Sequence, residues 1–129
     1  MGKFALVTGA YGGMGKAAVA LFKNNGYTVF ALDKKVENEE NGVIPIECDV
    51  TDELSVQNAI KTISATIDRL DAVVHYAGIY MLDSLVEMSA DDFKKIFAIN
   101  LFGVYLINKT AMPLLHSGSK IVIVTSELA

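Results

Sequence analysis

Residues 3–15 read KFALVTGAYGGMG. The first six, Lys3–Thr8, form a near-continuous apolar run, the pattern of a parallel strand buried on both faces. The run enters a glycine cluster, and a helical stretch follows from Met14 to about Asn24, with Gly26 marking its stop. Gly9 permits a tight turn, Gly13 lets the backbone approach a pyrophosphate, and Gly15 lets helix and strand pack closely. The helix N-terminus offers free N–H groups and a partial positive charge to phosphates. Asp33 stands eighteen residues beyond Gly15, at the end of a second apolar run, residues 28–33 (TVFALD). Its carboxylate can accept hydrogen bonds from the hydroxyls of an adenosine ribose and repel a 2′-phosphate. A glycine cluster alone is an ordinary turn. The strand before it, the helix after it and the acidic strand end together make a dinucleotide-binding fingerprint.

Working outward, short β-rich runs keep alternating with helical patterns. Residues 34–42 are polar and read as a solvated loop or short helix. Residues 43–48 (VIPIEC) form a third strand, and Pro45 counts against a central position for it. Thr51 can cap the next helix, which runs to about Asp68 with Asp52 and Glu53 in its first turn. Residues 72–75 are a fourth strand. Ser89-Ala90-Asp91-Asp92 opens a long helix to about Leu115, and residues 121–125 (IVIVT) are a fifth strand. Alternation of this kind predicts an α/β fold with a doubly wound parallel sheet of Rossmann type. Right-handed crossovers give strand order 3-2-1-4-5. Residues 1–129 are read as one dinucleotide-binding domain that lacks the C-terminal part of the fold, because the second nucleotide half needs a further strand.

Composition narrows the function. Hydrophobic residues make up 52% of 129, too many for a disordered chain. The net charge of −4, with eleven basic residues spread along the chain, makes no nucleic-acid footprint. No apolar run approaches the roughly 18 residues of a membrane span, and there is no signal-peptide pattern. Gly2 is not followed by Ser or Thr at position six, which is Leu6, so the myristoylation pattern fails. The single cysteine, Cys48, excludes an internal disulfide and fits a reducing cytoplasm. Beside Asp49 it reads as a small buried hydrophobe. No metal-ligand cluster is expected.

With the glycine loop and Asp33 in place, the chain resembles the N-terminal half of a short-chain dehydrogenase/reductase, in its compact single-domain branch. The resemblance implies that Tyr11, Gly12 and Met14 join Gly9, Gly13, Gly15 and Asp33 in holding the cofactor. It further implies that Asp49 and Val50 contact adenine. The family's Asn-Asn-Ala-Gly stands here as His75-Tyr76-Ala77-Gly78, which brings Ala77 and Gly78 to the cofactor. Its active-site Asn matches Asn100, followed by Leu101 and Gly103, and its catalytic Ser matches Ser126. The implied function is hydride transfer between a nicotinamide cofactor and a small alcohol or ketone. Asp33 favours NAD over NADP, although Lys34 and Lys35 soften the repulsion of a 2′-phosphate.

Two departures stand out. His75-Tyr76 and the spacing of Gly9, Gly12 and Gly15 also fit the extended branch, which modifies nucleotide sugars as an epimerase or dehydratase. The 22-residue step from Gly78 to Asn100 and the Met112-Pro113 helix end fit the compact branch. The family's Tyr-x-x-x-Lys, which moves the proton, should follow Ser126 and is absent from these residues. The chain alone is therefore expected to be inactive, as part of a longer or cleaved polypeptide, or else to be a non-catalytic nucleotide-binding fragment.

One Tyr-x-x-x-Lys precedes Ser126, at Tyr105 and Lys109. At roughly 100° per residue, with Asn100 at zero, Phe93, Ile96, Val104, Ile107 and Ala111 fall within about 40° and form the expected buried stripe. Tyr105 and Lys109 fall at about 140° and 180°, facing away as surface or subunit-contact residues. Asn100 is an amide in an apolar stripe and needs partners. It is expected to bond the backbone of strand four and to belong to a water relay beside the active site, two roles that the family resemblance makes compatible. His75 reads as a strand-end histidine near the cofactor, with nothing beside it in sequence to make it an acid or base. Residues 79–88 are expected to cover the cleft or simply to pack under the long helix. That helix is also a candidate interface for a homo-oligomer.

Overall fold

The computed structural model describes residues 2–79 and 83–124. Its elements are β1 (Lys3–Thr8), α1 (Gly13–Asn24), β2 (Tyr27–Asp33), β3 (Val43–Glu47), α2 (Glu53–Ser64) and β4 (Leu70–His75), then α3 (Ala90–Phe97), α4 (Gly103–Ala111) and β5 (Leu115–Ile123). A π turn (Ala98–Phe102) joins α3 to α4, and a 3-10 turn (Met112–Leu114) joins α4 to β5. All strand pairings are parallel and the order is β3-β2-β1-β4-β5, as the alternation predicts.

The two faces of the sheet differ in residue size. Alternate residues point to opposite faces. Leu6, Phe30, Leu32 and Val73 pack with Val56, Ile60 and Ile63 of α2 and with Leu106 and Ile107 of α4. The other face presents Ala5, Val7, Ala31, Ala72 and Val74 to Val19 of α1. Small residues there let α1 come close to the sheet, which sets the glycine loop at the strand ends. Edge strand β3 carries Pro45, where a missing N–H costs no ladder bond between two neighbours.

Several boundaries move. Asp52, not Thr51, caps α2, its Oδ1 accepting from Leu54 N–H at 3.1 Å. Thr51 instead turns back onto Asp49. The helix ends at Ser64 rather than near Asp68. Ser89 caps α3 as expected, accepting from Asp92 N–H. β5 begins six residues before residue 121, at Leu115, with a register irregularity against Leu70 and Ala72 and a turn through Gly118 at φ +99°. Residues 34–42 form a loop tied to α1 by exposed Lys16–Glu37 and Lys23–Glu40 pairs at 2.7 and 3.6 Å.

The long helix is not one regular helix. The π turn inserts an extra residue and rotates the buried face of α4. Leu106, which a straight wheel turns away from the stripe, is buried, while Val104 is only half-buried. Phe93, expected inside, is 52% exposed. Asn100 is exposed too, rather than buried.

Candidate functional site

The C-terminal ends of β1 to β4 open into one cleft of about 380 Å³. Its lining includes Gly9, Gly12, Asp33, Asp49, Val50, Ala77 and Gly78, seven of the residues singled out from sequence. The sheet explains the convergence. In a parallel α/β sheet each loop leaves a strand at the same edge, so four turns far apart in sequence meet.

Gly9 sits at φ +61°, a conformation that side chains disfavour. A Cβ there would lie 2.6 Å from Ala77 N and from the Tyr76 carbonyl carbon. Gly15 is closed in the same way, because a Cβ would overlap the Gly9 carbonyl oxygen. Gly13 differs. A Cβ on it would meet nothing within 4 Å, so its backbone faces open space at the start of α1. The loop packs tightly where it must fold and is bare where a ligand would approach. A pyrophosphate fits that arrangement. Met14 lies 64% exposed in the first turn of α1. The Tyr11 ring turns onto the small-residue face of the sheet, where burial and the nearby Glu37 and Glu40 push its phenol up.

Asp33 is fixed by the loop it faces. Its Oδ2 accepts from Tyr11 N–H at 3.0 Å and its Oδ1 from Lys34 N–H at 2.8 Å. Each carboxylate oxygen keeps a lone pair for a further donor. Asp49 accepts from the Thr51 hydroxyl at 2.7 Å and the Thr51 amide at 2.9 Å, and Lys34 Nζ lies 3.9 Å away. Burial pushes its carboxyl up, but the Thr51 bonds and the Lys34 charge outweigh it and hold it below the usual value. Cys48 beside it is 2% exposed and part of the core, and burial raises its thiol.

Asn100 sits in the π turn and grips the segment after β4 from both sides. Its Oδ1 accepts from Ile79 N–H at 2.8 Å and its Nδ2 donates to the Ile79 carbonyl at 2.7 Å. The amide therefore bonds backbone, and it does so just beyond strand four rather than within it. Gly78 leaves room for that side chain, since a Cβ would stand 3.1 Å from Asn100 Oδ1. Gly103 likewise admits Val50, whose Cγ2 would lie 2.7 Å from a Cβ.

Tyr105 and Lys109 are exposed, with Lys109 Nζ 5.5 Å from the Tyr105 ring centroid, so they share a surface and not the cleft. Ser126 lies outside the described residues. Of residues 79–88, Tyr80, Met81 and Leu82 also lie outside them. Ile79 lines the cleft, but Leu85 and Val86 are 90% and 94% exposed and do not cover it.

The structure adds residues that the sequence reading passed over. Thr8 accepts from Ala77 N–H through Oγ1 and from Tyr76 N–H through its carbonyl. Its signal was a lone hydroxyl closing an apolar strand. Ser55 Oγ accepts from Asp49 N–H at 2.9 Å. Lys95 and Ile99 join Lys34, already marked in the sequence, in the cleft wall. Nothing local marks Lys95 or Ile99, because they reach the cleft only through the packing of α3 and the π turn.

Comparison with known proteins agrees with the fold. The short chain dehydrogenase family matches residues 3–129, and the chain belongs to that family. It is 36% identical over 117 residues to the mitochondrial borneol dehydrogenase of Lavandula x intermedia, covering 85% of this chain and 45% of that one. Identity to meso-2,3-butanediol dehydrogenase of Serratia marcescens is 29% over 119 residues, 86% of this chain and 47% of the relative. A solved short-chain dehydrogenase/reductase of Serratia marcescens superposes with a TM-score of 0.87 at 26% identity, covering 98% of this chain and 58% of that one. The chain thus spans about half the length of the curated relatives it matches. Among the described residues no helix is long and apolar enough to cross a membrane, and no group of three metal-ligating side chains forms.

Proposed function

We propose that this chain is the dinucleotide-binding part of an NAD(H)-dependent oxidoreductase that interconverts a small alcohol and its ketone. The observation that carries the reading is the cleft itself. Gly13 is bare, Gly9 and Gly15 are closed, and Asp33 stands at the end of β2 with lone pairs to spare. Loop amides and the α1 N-terminus hold the pyrophosphate, and Asp33 accepts from the ribose hydroxyls. Asp33 also repels a 2′-phosphate, and no basic residue lies within residues 9–15 to offset it. Asp49 and Val50 border the adenine end. Bound nicotinamide supplies the hydride. Ser126, by the family resemblance, orients the substrate carbonyl, and Asn100 shapes the cleft wall through Ile79. The lone buried Cys48 fits a reducing compartment such as the cytoplasm.

The Tyr-x-x-x-Lys that moves the proton in this family has no counterpart after Ser126 within the 129 residues. Tyr105 and Lys109 supply none, because they lie on an exposed face. Residues 1–129 by themselves therefore bind dinucleotide without turnover. A second reading is a nucleotide-binding module with no catalysis. The dehydrogenases and reductases among the relatives favour the first reading over it, and over a nucleotide-sugar epimerase. The exposed residues Phe93, Phe97, Leu101 and Tyr105, spread along α3, the π turn and α4, offer a surface for a second copy.

Calorimetric titration with NADH and NADPH tests the cofactor. Tighter binding of NADPH overturns the role given to Asp33. NADH formation at 340 nm from a panel of secondary alcohols tests the chemistry, and turnover by residues 1–129 alone overturns the inactivity.

A further inference from the structure

Thr8 and His75 are the two buried polar side chains among the described residues, and they face each other in register across β1 and β4. Thr8 is engaged with the 76–77 backbone. His75, 4% exposed, places Nε2 2.8 Å from Asn108 Oδ1 on α4. An amide oxygen only accepts, so Nε2 carries the proton and the neutral ring keeps a lone pair on Nδ1. One helical segment thus holds the end of β4 at two points eight residues apart. Asn108 grips the His75 ring, and Asn100 grips the Ile79 backbone.

Among the described residues a second proton on that ring would find no counter-charge. β1 presents Thr8, β5 presents Ile123 and α4 presents Asn108, and none of these titrates. Among the described residues no ion pair includes the imidazole. Lys109, the next residue on α4, points to the surface over Tyr105. An unpaired charge buried there is costly, and the site avoids it by staying neutral or by opening.

We propose that His75 is a positioning residue that makes the cleft wall acid-sensitive: uncharged, it lets α4 pack on β4, and charged, the cost of its burial opens that seam, the Asn108 bond notwithstanding, together with the Asn100 grip on Ile79. The family motif carries Asn at this position, which does not titrate, so the sensitivity is a property of this chain. Burial lowers the imidazole from its ordinary value, and the Asn108 bond raises it back only in part. In the intervening range the unfolded state binds more protons than the folded one. The stabilisation is therefore complete above about pH 6.5 and is lost as pH falls through the folded value.

The inference rests on the dinucleotide reading of the cleft, so its first test is made without dinucleotide. Exchange of the Ile79 amide, corrected for its intrinsic rate, is followed from about pH 8 to about pH 5.5. Protection in the wild-type protein falls by up to about tenfold per pH unit in the acid range, the limit for linkage to one proton. His75→Asn abolishes that dependence. Asn108→Asp also abolishes it, by facing the imidazolium with a carboxylate, and it decides the matter if His75→Asn does not fold. The same pH dependence in the wild type and the variants overturns the proposal. The dissociation constant for NADH is then measured over the same range and rises toward acid in the wild type. Binding of NADH alongside a pH-independent Ile79 amide overturns the seam and leaves the cleft. Acid-sensitive protection in a protein that binds neither NADH nor NADPH at about pH 8 overturns the reading of the cleft.

Discussion

The β1–α1–β2 unit and the α3–α4–β5 region are built under different constraints. In the first, every strand residue from Ala5 to Thr8 and from Val29 to Leu32 is buried, and two glycines are closed against backbone. In the second, Phe93, Phe97, Leu101, Tyr105, Met112 and residues 121–124 are all more than two-fifths exposed. Apolar character predicts burial only where other parts of the chain lie on both sides. In the first unit α1 and the central strands supply that cover. In the second, the same pattern of apolar residues marks a face that nothing among the described residues covers.

The sharpest way to break this contrast is a pair of glycine variants. Gly9→Val forces a branched side chain at φ +61° into the 76–77 backbone, and by overpacking and strain it should cost about 2–5 kcal/mol in chemical denaturation. Gly13→Val meets open space, so it should fold with wild-type circular dichroism while losing NADH binding. Equal damage from both would mean that the loop is only structural.

A smaller effect is expected at Asp33. Asp33→Ser removes charge-assisted bonds worth about 1.5–3 kcal/mol, or about 10- to 150-fold in NAD affinity. It should also narrow the preference over NADP, as read by calorimetry with both cofactors. A wholly unchanged preference would move specificity elsewhere in the cleft.

Asn100→Ala probes the second region. It removes two bonds to Ile79, each worth about 0.5–1.5 kcal/mol. The expected stability loss is about 1–2 kcal/mol, with a weaker grip on dinucleotide through the loosened wall. A variant of wild-type stability would show that the π turn holds its shape without this clamp.

The smallest effect lies at the opposite end of the sheet. Asp71 accepts from Phe4 N–H at 2.8 Å and from His116 Nε2 at 3.0 Å, joining β1, β4 and β5. Burial raises its carboxyl, but those bonds and Arg69 bring it below 3.8. Its contribution to stability is present above the unfolded value and lost as pH falls through the folded one. Thermal unfolding of Asp71→Asn should therefore show a shallower loss between about pH 4 and pH 2 than the wild type.

How much of this was legible in the sequence follows the same division. Lys3–Thr8, the glycine spacing and Asp33 announce a strand, a turn and a helix N-terminus by local chemistry, and the strand order follows from chirality. Pro45 gave away the edge position of β3. The wheel over residues 89–115 failed at the π turn, because a constant angle per residue cannot register an inserted one. Asn100 reads in the sequence as an amide in need of partners, yet its exposure and the identity of Ile79 as partner lie outside any local rule.

Sequence alone determined the fold class, the strand order and seven residues of the cleft, because turn chemistry and apolar periodicity act over a few residues. Tertiary structure decided what depends on distant chain segments meeting. It brought Thr8 to Ala77, Lys95 and Ile99 to the cleft wall, and Asn108 to a histidine thirty-three residues away. A polar side chain's partner is set by where the helices come to rest on the sheet, and that position is fixed by packing across the whole molecule.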